Sequence, residues 1–159
     1  MSEHAHSHSS WGPYAHRVAA AAGRRSGGAR TAIVDELAAL DCCTSAQELH
    51  DRLRGGERKV GIASVYRVLD ELAGLGLVAR VDLGDGVARY EPVHPSGDHH
   101  HHALCVTCGR IEPFDDPALE AAIDRAAEST SFDVLGHDVV LRGRCADCAD
   151  HSGGGSAPS

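Results

Sequence analysis

Three observations in the sequence predict an α+β protein made of two small domains. Apolar residues recur at helical spacing through the first half, two β-rich runs follow them, and the second half combines strand-like runs with one helix and two cysteine pairs. A chain of 159 residues suits one domain or two small ones. We expect domains over residues 13–92 and 99–149, joined by a hinge at 93–98. Residues 1–12, a His-containing stretch, and 150–159 are expected to be flexible tails.

Charge is unevenly distributed along the chain. The net charge is −8, yet residues 1–95 carry 11 basic and 12 acidic side chains, whereas residues 96–159 carry 4 and 11. The nearly balanced first half leaves nucleic-acid binding open, and bound cations would offset the acidity of the second half. No apolar run approaches the ~18 residues of a membrane span, and no secretion signal opens the chain. We expect a cytoplasmic protein with reduced thiols and no membrane partner.

Four helices are predicted in the first domain, over residues 14–22, 30–40, 45–54 and 62–75. A basic loop containing Arg24 and Arg25 joins the first two. Ser45 and Glu48 have the spacing of a capping box, in which the serine begins the third helix and the glutamate lies three residues on.

The fourth helix carries one apolar stripe, formed by Val65, Val68, Leu69, Leu72 and Leu75. Tyr66 and Arg67 fall on the opposite side. Two β-rich runs, 77–83 and 87–91, flank a Gly-Asp-Gly turn and predict a hairpin. Helices followed by a two-stranded wing predict a winged-helix domain whose fourth helix reads the major groove of DNA. The alternative is an ordinary helical domain in which Tyr66 and Arg67 are surface residues.

Two Cys-x-x-Cys pairs, Cys105–Cys108 and Cys145–Cys148, are separated by 36 residues. Four thiolates from two tight turns are the ligand set of a closed tetrahedral zinc site, which leaves no position for a substrate. We therefore expect a structural zinc. Two disulfides or free thiols are the alternative.

A run of four histidines, His99 to His102, precedes the first cysteine pair. Side chains alternate between the two faces of a strand, so His100 and His102 would face one way and His99 and His101 the other. One segment could thus serve two metal sites. A tag or a solvated polar loop is the alternative.

The second domain is expected to open with a strand over 99–106 and a second over 110–114. Asp116, followed by proline, should cap a helix that ends near Ser129. Its buried line would be Leu119, Ile123 and Ala126. A long strand over 132–144 should then lead into the last cysteine pair.

The segments 29–34, 45–49, 61–69 and 99–109 together resemble the ferric uptake regulator (Fur) family, over roughly residues 14–148. Within the family, histidine-rich ligation with two cysteine pairs is most similar to the zinc uptake regulator (Zur) branch. The resemblance implies a homodimeric, metal-activated repressor, with a C-terminal α/β dimerisation domain, that binds palindromic operators in double-stranded DNA near metal-uptake genes. It also implies no enzymatic activity and no small organic substrate.

The resemblance implies four sets of residues. The structural zinc would be held by Cys105, Cys108, Cys145 and Cys148. A second metal site would use His99, His101, Glu120 and His137. A regulatory metal at the hinge would use Asp82, His94, His100 and His102, with Glu91 as the rival carboxylate. DNA contacts would come from Arg24, Arg25, Ser64, Tyr66 and Arg67.

Alternatives remain within and outside the family. The zinc branch commonly has a cysteine where this chain has His94, so Fe²⁺ or Ni²⁺ is a rival to Zn²⁺, and an iron, nickel or peroxide sensor is a rival function. Cys42 and Cys43 stand where the iron-sensing branch has a ligand, although structural thiols are the favoured role. A zinc enzyme with an open histidine site is the remote alternative, with Glu120 as its base, but no HExxH pattern occurs.

Overall fold

The computed structural model describes residues 8–24, 27–56, 59–97 and 100–150. The chain forms two compact units, residues 1–99 and 100–159. The boundary between them lies directly after the predicted hinge at residues 93–98. No helix in the described ranges is long and apolar enough to cross a lipid bilayer.

The first unit contains, within its described residues, α1 (His8–Ala21), α2 (Gly28–Ala38), β1 (Thr44–Ser45), α3 (Ala46–Leu53), α4 (Ile62–Gly74), β2 (Val78–Asp82) and β3 (Ala88–Pro92). The strands form an antiparallel sheet in the order β1-β3-β2. Gly84 and Gly86 form the β2–β3 turn with φ of 76° and 79°, values that residues with a side chain rarely adopt. Helices followed by a hairpin confirm the predicted winged-helix arrangement.

The core of the first unit forms where the apolar stripes of the helices meet the sheet. Four residues of the predicted stripe on α4 are buried: Val65, Val68, Leu69 and Leu72. The capping box also forms, since Glu48 N–H donates to Ser45 Oγ over 3.2 Å and Ser45 N–H donates to Glu48 Oε2 over 2.8 Å. Local capping and helical periodicity therefore place α3 and α4 as predicted.

The predicted tail boundary at residue 12 is wrong. Helix α1 begins at His8, and the Trp11 side chain is fully buried in the core. Its Nε1–H donates to the Leu77 carbonyl over 3.1 Å. Burial of a large ring with its polar group satisfied outweighs the poor helix propensity of Gly12 and Pro13. The remaining tail, residues 1–7, lies outside the described residues, as does the C-terminal tail beyond residue 150.

The second unit contains, within residues 100–150, β4 (His101–Cys105), β5 (Ile111–Phe114), α5 (Pro117–Glu128), β6 (Val140–Gly143) and α6 (Ala146–Asp150). Strand β4 is central, antiparallel to β5 and parallel to β6. Asp116 caps α5 as predicted, because its Oδ1 accepts hydrogen bonds from the Ala118 and Leu119 amides over 2.8 and 3.3 Å.

Two predictions for the second unit are wrong. The strand expected over residues 132–144 is restricted to β6, and Phe132 and Leu135 before it are 82% and 93% exposed. β4 pairs with β6 over only four residue pairs, so β4 does not extend far enough to pair with Phe132 and Leu135. The predicted buried line of α5 fails too: Ala126 is exposed, and no residue of α5 is fully buried. A three-stranded sheet with one long helix is too small to enclose these side chains.

Candidate metal centres

The four thiols of the two cysteine pairs come together in the second unit. Cys105 ends β4 and Cys145 follows β6, and the parallel pairing of Cys105 with Gly143 brings the two turns side by side. All four sulfurs lie within 4.8 Å of one another, and the Sγ atoms of Cys108 and Cys145 are 3.8 Å apart. Sulfurs at ~2.3 Å from a tetrahedral zinc would be about 3.8 Å apart. The cluster therefore has the dimensions of a closed four-thiolate zinc site.

The electrostatics of this cluster also favour a cation. The Cys145 amide donates a hydrogen bond to Cys105 Sγ over 3.4 Å, and this amide and that of Cys108 lower the pKa of Cys105 to about 5. Hydrogen bonding to the Cys145 and Cys108 thiols instead raises the pKa of Cys148 to about 12. Thiols this close together cannot all ionise unless a positive ion compensates them. Zinc supplies that charge and prefers sulfur ligands, so the donor set fits it.

A second cluster in the same unit combines two imidazoles and a carboxylate. Glu120, on the first turn of α5, points one oxygen at His101 Nε2 over 2.5 Å and the other at His137 Nε2 over 3.2 Å. Their ligating atoms lie within 4.8 Å of one another, and His101 is 2% exposed. Three of the four predicted ligands of the second site are thus together. The fourth, His99, lies outside the described residues.

His101 and His102 are adjacent residues of β4, and both are buried. Successive side chains of a strand point to opposite faces. Since His101 faces Glu120, His102 faces away from that cluster. His100 precedes the strand and is half-buried.

The two carboxylates considered for the hinge lie at different ends of the wing. Asp82 ends β2 opposite Ala88, and its carboxylate accepts a hydrogen bond from the Gly84 amide over 2.8 Å, which closes the turn. Glu91 lies in β3, three residue pairs away, or about 10 Å along the strand. His94, which is buried, follows β3 by two residues. Glu91 is therefore at the same end of the hairpin as His94, and Asp82 is at the other.

Helix α4 presents a polar face to solvent opposite its buried stripe. Tyr66 is 49% exposed, Arg67 is exposed, and Arg67 Nη2 lies 3.4 Å from Ser64 Oγ. Arg24 is exposed in the loop after α1, and Arg25 lies outside the described residues. An exposed helix with aromatic, hydroxyl and guanidinium groups suits contact with base edges and phosphates.

Cys42 and Cys43 form a separate thiol pair before α3, with their Sγ atoms 3.9 Å apart. A hydrogen bond to Cys42, together with burial, raises the pKa of Cys43. This thiol stays protonated at neutral pH and is a poor nucleophile.

The model of the ferric uptake regulator family matches residues 21–142, well over half of the chain. The chain belongs to this family. The resemblance seen in the sequence is thereby confirmed, and so are the α+β fold class and the expectation that the protein is not an enzyme. As a family member it is a metal-responsive, DNA-binding transcription regulator.

Individual relatives in the family are named for different metals. The zinc uptake regulation protein of Mycobacterium tuberculosis is 39% identical over 130 residues, 80% of this chain and 97% of that protein. The ferric uptake regulation protein of Neisseria meningitidis is 35% identical over 104 residues, 65% of this chain and 71% of its own length. The crystal structure of the Vibrio cholerae ferric uptake regulator, 28% identical, superposes with a TM-score of 0.71 over 81% of this chain and 98% of its own.

One polar contact of this Fur-family chain was missed by the reasoning from sequence. Glu71 of α4 accepts a hydrogen bond from Arg30 Nη2 of α2 over 2.6 Å and lies 3.8 Å from Arg24 Nη1. No local pattern predicts this pairing, because it depends on how α2 and α4 pack. It places two more arginines beside the helix that carries Arg67.

Proposed function

We propose that this chain is a zinc-responsive, dimeric repressor that binds palindromic operators of metal-uptake genes in the cytoplasm. The observation that carries the proposal is the presence of two different donor sets in one small unit, the four-thiol cluster and the His101–Glu120–His137 cluster. A closed four-thiolate site has no open position with which to respond to changing metal. Sensing therefore requires ligands outside it, and the histidines supply them. The 39% identity to a zinc uptake regulation protein supports zinc.

The two clusters of the second unit would have different roles. Zinc held by the four cysteines would stabilise the fold of the unit. His101, Glu120 and His137 would hold a second ion, because the contacts of Glu120 to both imidazoles bring the three donor groups together. His99 is the proposed fourth ligand of this ion.

The regulatory metal at the hinge is assigned to His94, His100 and His102 with one carboxylate. Of the two carboxylates that the sequence offers, Glu91 is better placed than Asp82. Glu91 lies at the His94 end of the hairpin, whereas Asp82 closes the turn at the other end. Binding at this site would couple the metal to the position of the winged helix.

Iron or nickel is the second candidate for the sensed metal. Three imidazoles and a carboxylate suit Fe²⁺, Ni²⁺ and Zn²⁺ alike, whereas a thiolate at the position of His94 would favour zinc. The 35% identity to a ferric uptake regulation protein supports iron as a candidate.

Dimerisation is supported by apolar side chains that the second unit leaves in solvent. Phe132, Leu135 and Leu141 are each more than half exposed. Burial against a second copy would remove these side chains from water, which is favourable for large apolar groups. Two copies would present two α4 helices to the two half-sites of a palindrome.

On DNA, α4 would lie in the major groove. Tyr66 and Arg67 would contact bases, with Ser64 beside them, and Arg24 and Arg25 would contact phosphates. The base contacts supply sequence discrimination, and the phosphate contacts supply affinity for any duplex.

The test is DNA binding across buffered series of Zn²⁺, Fe²⁺ and Ni²⁺, with a duplex selected from a random library by the wild-type protein. Zinc should promote binding at the lowest free concentration. His100→Ala and Glu91→Ala should lose the metal response while retaining the four-cysteine zinc, and Asp82→Ala should keep the response. If Fe²⁺ or Ni²⁺ promotes DNA binding at a lower free concentration than Zn²⁺ does, that metal replaces zinc as the proposed sensed metal. Loss of the response in Asp82→Ala but not in Glu91→Ala would reverse the carboxylate assignment.

A further inference from the structure

Glu71 is a carboxylate surrounded by arginines on the helix that is proposed to read DNA. Arg30 Nη2 is 2.6 Å from one of its oxygens and Arg24 Nη1 is 3.8 Å from the other. Arg67 lies one helical turn before it on α4. The hydrogen bond from Arg30, with the charges of all three arginines, lowers the pKa of Glu71. The group is therefore an anion at neutral pH, at a surface that must approach phosphates.

The two arginine partners are not equally accessible. The Arg30 side chain is 15% exposed, and that of Arg24 is 51% exposed. Arg30 comes from α2 and Arg24 from the loop after α1, so one carboxylate ties both of these segments to α4. The Arg30 guanidinium cannot turn toward DNA while it remains paired with Glu71, whereas Arg24, at 3.8 Å and half exposed, can still contact a phosphate.

We propose that Glu71 is a positioning residue for DNA recognition, which holds Arg30 away from phosphates so that α4 selects the sequence. This inference rests on the proposed placement of α4 on DNA. Affinity for any duplex grows with the number of cations that reach phosphates. A carboxylate that engages the Arg30 guanidinium reduces that number by one, and its own charge repels phosphates that come near it. The ratio of specific to non-specific affinity rises as a result.

The chain offers a matched control. Glu36 on α2 pairs with Arg52 over 3.6 Å and its side chain is 29% exposed, compared with 23% for Glu71. Glu36→Gln and Glu71→Gln remove the same charge from the same unit. Only the second frees the Arg30 guanidinium beside α4.

The experiment measures binding of the zinc-loaded full chain to the selected duplex and to a scrambled duplex, as a function of salt. For the scrambled duplex, Glu71→Gln should steepen the slope of log affinity against log salt by about 0.9 for each phosphate gained. Its preference for the selected duplex should fall. Glu36→Gln should behave as wild type. Equal slopes and preferences for the two variants would overturn the proposal.

A charge-preserving variant separates the charge of Glu71 from its contribution to folding. Glu71→Asp should keep the wild-type slope, and a slope as steep as that of Glu71→Gln would contradict the proposed role of the charge. Circular dichroism confirms that each variant is folded at the assay temperature. If wild type itself does not prefer the selected duplex in zinc, the proposed function fails. If wild type does prefer it, and Glu71→Gln and Glu36→Gln have the same salt slope and duplex preference, only the proposed role of Glu71 fails.

Discussion

Removal of one thiol from the four-cysteine cluster should unfold the second unit and leave the first unit folded. Among residues 100–150, Leu104 and Cys105 are the only apolar residues that are buried, at 5% and 4% exposure. Burial of one side chain of this kind contributes about 1.5–3 kcal/mol. A structural zinc contributes about 10–16 kcal/mol of apparent binding free energy. The metal, rather than the apolar core, should therefore hold this unit together.

Cys108→Ser is the cleanest perturbation, because Cys108 is exposed and its loss creates no internal cavity. The assay combines calorimetric unfolding with zinc content per chain. We expect one fewer zinc, loss of the transition of the second unit, and an unchanged transition of the first unit. Cys42→Ser, which removes a thiol outside the cluster, is the matched control and should retain the full zinc content and both unfolding transitions. A Cys108→Ser protein with full zinc content and an unchanged second transition would show that the four-cysteine zinc does not stabilise the second unit.

Three further predictions concern the first unit. Arg67→Ala should weaken operator binding by about 1–3 kcal/mol in a zinc-saturated titration, and unchanged affinity would remove Arg67 from the base-reading set. Trp11→Ala should lower the free energy of unfolding of the first unit by about 3–5 kcal/mol, because a fully buried ring is lost; a change below about 1 kcal/mol by denaturant titration would argue against its core position. Arg89 donates two hydrogen bonds of 2.8 Å to Asp85 and lowers the pKa of Asp85 from 3.8 to about 2. The ionised pair thus stabilises the wing above about pH 4, and this stabilisation is lost as pH falls toward 2. The difference in melting temperature between wild type and Asp85→Asn should therefore be smaller at pH 3 than at pH 6. An equal difference at both pH values would contradict this.

What the sequence predicted well was set by local spacing. The capping box needs only Ser45 and Glu48 three residues apart, and helical periodicity identifies the buried stripe of α4. The four-cysteine cluster follows from two short turns with metal-ligand spacing. The cap and the stripe are each satisfied within one helix and each cysteine pair within one turn, so the rest of the fold has little influence on them. Bringing the two turns together depends on the parallel pairing of β4 with β6.

What the sequence did not predict depends on contacts between distant segments. Trp11 is buried because the carbonyl of Leu77, 66 residues later, accepts its N–H. Glu71 meets Arg30 only through the packing of α2 on α4. The apolar run around Phe132 resembles a strand, but no partner strand extends far enough to pair with it. Tertiary contacts override local propensity at each of these places.

The affinity of wild-type protein for the selected duplex at buffered free zinc tests most directly whether metal controls DNA binding. The zinc content of every sample must confirm that the four-cysteine site is filled, so that only the occupancy of the regulatory site varies. Affinity should rise by about 5–150-fold between the lowest and the highest free zinc, as is typical of coupled sites. Equal affinity at both ends of the zinc range would contradict it.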